Sequence, residues 1–185
     1  QTNPPFIGPS SYTLQLDNIV DPEVSKDGFA PNIQENYTVT DKADGDRKLM
    51  FISGNGRIYL IDTNMNIQFT GAITQNKNLG GTIIDGEHIK YNKKKEHINL
   101  YAMFDIYYKS GDDYRSIPFY NVSPDDIGSN KYRYDIMIAT LKSIAPISVV
   151  SGEPCPLRVQ IKNFIAGVNT SIFRACGDVL ERTES

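Results

Sequence analysis

Tryptophan is absent from these 185 residues, and cysteine and histidine occur only twice each. Cys155 and Cys176 lie far apart, and with only His88 and His97 beside them no zinc-ligand spacing can be assembled. No apolar run is long enough to cross a bilayer. An excess of positive charge is also missing: 19 Lys and Arg stand against 22 Asp and Glu, a formal net charge of −3. That balance excludes a surface that grips nucleic acid indiscriminately through its phosphates, while leaving room for a local basic wall. Three Asn-x-Ser/Thr triplets begin at Asn36, Asn121 and Asn169, yet nothing at the N-terminus has the pattern of a signal peptide. The expectation is an intracellular, reduced, soluble protein with no membrane partner.

What is present is ordinary in bulk and specific in detail. A content of 39% hydrophobic and 22% charged residues suits one globular domain, or a large part of one, with a core that needs no disulfide. Residues 1–12, with Pro4, Pro5, Gly8 and Pro9, read as an extended lead-in or linker, and the domain is expected over residues 13–185. Residues 13–36 predict one short element followed by a turn-rich connection. Period-two alternation then predicts strands at Lys48–Ser53, Arg57–Asp62, Ile67–Thr70, Thr82–Ile89 and Ile98–Tyr108, with Gly54-Asn55-Gly56 as a hairpin turn. Lys93, Lys94 and Lys95 read as a solvated turn. Tyr134, Met137, Ile138, Leu141 and Ile144 carry helical spacing and predict a helix over residues 130–145, stopped by Pro146. A strand around Leu157, Val159 and Ile161 and a last helix beginning near Thr170 or Ser171 complete an α+β pattern dominated by antiparallel sheet.

Three charged features interrupt strands that should otherwise be plain. Thr40 to Leu49 contains Lys42-Ala43-Asp44-Gly45-Asp46-Arg47, which reads as strand, tight Asp-Gly turn and strand. Asp85-Gly86-Glu87 sits within the Thr82–Ile89 strand, and Asp105 lies inside the long apolar strand after it. Charges seldom occupy buried strands unless they are paired or working. Asp85 and Asp105 therefore cap turns, pair with Arg47 and Lys48, or belong to a site.

Taken in order, the three features resemble the covalent nucleotidyltransferase superfamily, which holds mRNA capping guanylyltransferases and polynucleotide ligases. Lys42 to Arg47 matches its Lys-x-Asp-Gly-x-Arg signature, Thr82 to Glu87 is similar to its Asp-Gly-Glu strand, and Ala102-Met103-Phe104-Asp105-Ile106 resembles the strand motif that follows. Arg57 to Asp62 followed by Asn64 to Ile67 is similar to a capping guanylyltransferase more than to a ligase, and Phe104 to Tyr108 leading to Arg115-Ser116-Ile117-Pro118-Phe119 is similar to capping enzymes of large cytoplasmic DNA viruses. The resemblance spans about residues 37–165. It implies a ligase- or guanylyltransferase-like fold of antiparallel sheets with flanking helices. A second Asp-Gly strand, a Lys-x-Lys strand and a C-terminal OB-fold do not follow before Ser185, so the expectation is the N-terminal part of such a domain.

The activity implied is transfer of GMP from GTP to Lys42 and then to the 5′-diphosphate end of RNA. A ligase adenylation domain and a non-catalytic nucleotide- or RNA-binding module are the alternatives. The nucleophile must be an unprotonated amine, whereas a free lysine titrates near about 10.4. Partial burial and a neighbouring cation are expected to favour the neutral form. The resemblance further implies nucleotide contacts from Asp44, Gly45, Arg47, Glu87 and Phe104. Asp44 either orients Lys42 or caps the turn, and Phe104 either stacks on guanine or fills the core. Glu87 holds Mg²⁺ or Mn²⁺ through water or contacts the ribose. The partners implied are GTP, an RNA 5′ end, and triphosphatase and methyltransferase domains in the same polypeptide, in host cytoplasm or virion.

Overall fold

A computed structural model describes residues 5–21, 23–24, 31–34, 37–120, 131–166 and 171–184, with side chains to residue 181. The chain forms two compact units. The larger takes Gln1–Ile7, Lys42–Phe119 and Gly128–Lys162, and the smaller takes Gly8–Asp41, Tyr120–Ile127 and Asn163–Ser185.

Among the described residues, the larger unit holds an eight-stranded sheet and one α-helix. Its strands are β2 (Asp46–Ile52), β3 (Arg57–Asp62), β4 (Ile67–Ile73), β5 (Thr82–Tyr91), β6 (His97–Lys109), β7 (Asp112–Asp113), β8 (Ile147–Ser148) and β9 (Arg158–Ile161). They run in the order β7-β6-β5-β2-β3-β4-β8, and β9 pairs with β6 beside that path. The hairpin at Gly54-Asn55-Gly56 forms as its residues predict. The β3–β4 turn is closed by Asp62, whose carboxylate accepts from Asn64 N, Asn66 N and Asn66 Nδ2, each at 2.9 Å. All pairings are antiparallel except β6–β9. That strand is parallel because the chain between the two runs through a helical crossover, which a short hairpin cannot replace.

The crossover helix, α1 (Arg133–Ile144), packs against β6 and β9. It occupies the expected stretch and ends at Ala145 in the left-handed region (φ 36°), one residue before Pro146. Residue 130, the expected start of the helix, falls outside the described residues. The helix begins on a cation, unfavourable for the helix dipole, and Arg133 is balanced by a bidentate pair with Asp105 at 2.8 and 2.9 Å. Its guanidinium also donates to the Ile117 carbonyl.

Alternation divides the central strands into two faces. Met50, Ile52, Ile58, Leu60 and Ile84 occupy one and are at most 2% exposed; each such side chain contributes about 1.5–3 kcal/mol by leaving water. The other face carries Arg47, Leu49 and Phe51 from β2, with Glu87, Asp85 and Ile83 directly opposite on β5. The candidate site lies on this second face.

In the smaller unit β1 (Thr38–Val39) pairs with β10 (Ile165–Ala166), and α2 (Ile172–Glu184) packs against both. Leu16–Asn18 forms a single 3-10 turn, held where Asn18 Nδ2 donates to the Pro31 carbonyl at 2.8 Å. The expected hairpin across Asp44-Gly45 is therefore not formed. The strand before it pairs with a partner more than a hundred residues away, and residues 41–44 enter β2 without regular structure.

Candidate active site

The geometry begins with two glycines, each next to an aspartate, and neither serves as a turn. A side-chain carbon on Gly45 would lie 2.6 Å from the His88 carbonyl oxygen and 2.9 Å from Glu87 Cγ. A side-chain carbon on Gly86 would lie 2.6 Å from Tyr101 Cζ and 2.8 Å from the Ala102 oxygen. Both glycines are there for close approach, with φ outside the left-handed region. The first lets the Lys42 segment pass against the Glu87 strand. The second lets the Tyr101 ring lie on β5 and reach between strands. There the Tyr101 hydroxyl accepts from Met50 N at 3.1 Å, with the Lys48 and Ile84 carbonyls 2.8 and 3.0 Å away to take its own proton. Burial, with Asp85 nearby, holds this phenol well above its ordinary range.

Asp85 has no exposed surface and gathers three donors. Arg47 Nε and Nη2 donate to its two oxygens at 3.2 and 2.5 Å, and the Tyr107 hydroxyl donates at 2.6 Å. The fork geometry of guanidinium on carboxylate fixes Arg47 in orientation as well as position. Aromatic rings flank it, Phe6 at 5.1 Å and Phe104 at 5.7 Å from the guanidinium carbon. The pair with Asp85 raises the Arg47 pKa, and burial beside that same carboxylate drives the Tyr107 phenol far up. Asp85 is thus paired with Arg47, as one reading of the sequence has it. Asp105 is also paired, though with Arg133 rather than Lys48 or Arg47.

Glu87 lies directly across from Arg47 and is half-buried. Burial raises its pKa; Lys162, then Lys42, then the backbone N–H of Gly45 pull it back down. The first and second motifs therefore converge on one carboxylate, and Lys162, at the end of β9, joins them. Lys42 itself is 90% exposed, with Nζ 3.8 Å from the fully exposed Asp44 carboxylate. The partial burial expected to favour its neutral amine is absent here, and the Arg47 cation is already committed to Asp85. Asp44 forms the Lys42 contact rather than a hairpin turn. Phe104 is half-buried against Arg47.

Sequence reasoning did not single out Tyr101, Tyr107, Arg133 or Lys162. A tyrosine inside an apolar strand looks like core, and only the strand register shows which hydroxyl meets which carboxylate. Among the described residues no group of three or more His, Cys, Asp and Glu side chains converges as a metal cage. Glu87 is, among those residues, the one carboxylate of this cluster not committed to an arginine or lysine ion pair in the strands around it, and a lone carboxylate fits an ion whose other ligands come from outside the chain.

A model of the mRNA capping enzyme catalytic domain matches residues 24–127, more than half of the chain. The chain belongs to that family. A probable mRNA-capping enzyme of Acanthamoeba polyphaga mimivirus is 38% identical over 87 residues, 47% of this chain. The aligned stretch is 7% of that viral protein's length. The matched stretch contains Lys42, Asp85, Glu87 and Asp105.

Proposed function

We propose that this chain carries the guanylyl-transfer centre of a viral-type mRNA capping enzyme, with Lys42 as the residue that takes GMP. The observation carrying the reading is the meeting of the first two motifs on Glu87, whose carboxylate feels both Lys42 and the Gly45 amide. The fold is read as that of the covalent nucleotidyltransferases, supported by the antiparallel sheet and the order of the motifs along it.

In the first step the lone pair of Lys42 Nζ attacks the α-phosphorus of GTP. An N–P bond forms, the bond to the bridging oxygen breaks, pyrophosphate leaves with that electron pair, and the nitrogen gives up a proton to solvent. In the second step a terminal oxygen of a 5′-diphosphate RNA attacks the same phosphorus, the N–P bond breaks, and the amine recovers a proton. Arg47, held by Asp85, presents a fixed positive edge to ribose or phosphate oxygens. Phe104 stacks on guanine in exchange for its contact with Arg47. Glu87 would hold Mg²⁺ or Mn²⁺ through water, an ion that offsets phosphate charge when bound. Positioning of these groups supplies most of the rate, as in phosphoryl transfer generally. Because Lys42 is solvated, nucleotide binding must bring it under cover before it reacts, so closure belongs to the first step. The name of the viral relative supports mRNA capping; triphosphatase and methyltransferase domains in the same polypeptide, and work in host cytoplasm or virion, are part of the proposal.

The test is covalent labelling of the whole polypeptide with α-labelled GTP and Mg²⁺. An adduct lost in Lys42→Ala and discharged by 5′-diphosphate RNA is expected. Labelling that survives Lys42→Ala ends the assignment, and labelling by ATP in place of GTP turns it to a ligase.

A further inference from the structure

The sheet face that bears Arg47, Asp85 and Glu87 continues along β2 into a row of aromatic rings. Phe51 lies two alternations beyond Arg47, directly opposite Tyr59 on β3, which in turn lies opposite Phe69 on β4. Directly opposed residues share a face, so all three rings stand on the site side of the sheet. Their centroids are 6.5 Å apart for Phe51 and Tyr59 and 5.4 Å for Tyr59 and Phe69. Arg57, two residues before Tyr59 on the same strand, holds its guanidinium 5.6 Å from the Phe69 ring centroid. Phe69 is 38% exposed and Phe51 and Tyr59 are half-buried, while Met50, Ile52, Ile58 and Leu60 on the opposite face are closed off. Ile67, on β4 two residues before Phe69, is 66% exposed.

Half-exposed rings in a row, with an arginine laid over one of them, offer what unpaired nucleotides need. The rings give flat faces on which bases stack, and the guanidinium meets both a phosphate and a base plane. Stacking of this kind tolerates any base, which suits an enzyme that acts on the ends of transcripts of every sequence. Four residues of extended strand separate Arg47 from Phe51, about 13 Å, a gap that a few nucleotides bridge.

We propose that Phe51, Tyr59 and Phe69, with Arg57, form a stacking track for the first nucleotides of single-stranded acceptor RNA downstream of the reacting 5′ end. The identity of that reacting end rests on the proposed function; binding of the RNA strand itself does not.

The whole polypeptide is tested with a Tyr59→Leu/Phe69→Leu double variant and, separately, Arg57→Gln. Leucine keeps apolar cover without a stacking face, and the exposed Arg57→Gln change leaves the fold intact should the double variant unfold. Three quantities are read: affinity for fluorescent single-stranded RNA, the GMP adduct formed from GTP, and transfer to 5′-diphosphate acceptors of different length. The expected result is roughly tenfold weaker RNA binding per ring removed and a matching rise in apparent KM for a long acceptor. Transfer to a dinucleotide acceptor is then unchanged, and Phe69→Trp restores affinity. RNA affinity equal to wild type in both variants overturns the track, and so does a loss that falls equally on dinucleotide and long acceptor. Ring-dependent RNA binding by a protein that forms no GMP adduct upholds the track and overturns the proposed chemistry. Adduct formation with ring-independent transfer does the reverse.

Discussion

Asp85→Ala is the substitution on which the structural reading of the site can be judged most sharply. The carboxylate is wholly buried and accepts from Arg47 twice and from Tyr107 once. Removing it strands a cation and a phenol together. Breaking a buried ion pair by deleting one partner costs about 3–5 kcal/mol. Arg47 keeps 28% of its side-chain surface in water and recovers some hydration, which favours the lower end of that range. Tyr107 is only 5% exposed and recovers little, adding about 1–3 kcal/mol for its orphaned hydroxyl. A loss near 4 kcal/mol follows, or a fall in Tm of about 8–16 °C for a chain of this size. Tyr107→Phe alone should cost about 1.5–2 kcal/mol, because a hydrogen bond to a charged acceptor is lost and nothing else moves. The double variant should be less unstable than the sum, by about 1–2 kcal/mol. Urea unfolding followed by far-ultraviolet circular dichroism and tyrosine fluorescence measures all three, with no tryptophan signal to dominate. A loss below about 1 kcal/mol for Asp85→Ala, or strict additivity with Tyr107→Phe, would refute the idea that this carboxylate is the fixed joint of the site.

Gly86→Ala should destabilise by about 3 kcal/mol, since the added carbon meets the Tyr101 ring and a backbone oxygen at once. Tyr101→Leu in the same chain should recover part of that loss in a denaturant titration. Glu87→Gln should abolish the GMP adduct while stability at neutral pH stays level or rises. The folded-state pKa of Glu87 is raised, so its ionisation works against folding and its contribution is lost as pH climbs through that titration. The Tm difference between variant and wild type should therefore close on acidification below about pH 4. His88 runs the other way: burial lowers its pKa below the ordinary 6.5, so the unfolded chain takes up the proton first. Stability should decline as pH falls below that value, and His88→Gln should flatten the decline in a Tm series over that range. An acid limb equally steep in the variant would rule His88 out as its source.

The parts of the fold that could be read from sequence are those whose cause is local. Alternation with a glycine-asparagine turn gave β2 and β3 to within a residue or two, and helical spacing ahead of Pro146 gave α1. Where the cause is distant, the same reasoning misplaces it. Asp44-Gly45 has the composition of a hairpin turn, but Thr38–Val39 finds its partner at Ile165–Ala166, a pairing that no local pattern announces. Gly86 reads as part of a strand and is one, but nothing local shows that it makes room for a ring from the neighbouring strand. The same limit hid Tyr107 and Lys162. Each has an ordinary sequence context and acquires a role only when register brings its head group to Asp85 or Glu87.

These placements divide the site into a fixed part and an open part, and the division follows from the physics of each group. Asp85, Arg47, Tyr107 and Tyr101 are locked by hydrogen bonds that would be expensive to remake, so they hold one geometry whether or not a nucleotide is present. Lys42 lies in solvent and Glu87 is half-buried, tied to each other by charge and to the frame by one backbone amide. On the proposed chemistry, a nucleophile that must lose a proton gains from being movable, because substrate that expels the water around it favours the neutral form. If Lys42 takes GMP as proposed, its exposure, which at first sight weakens its claim, makes the chemistry depend on substrate binding.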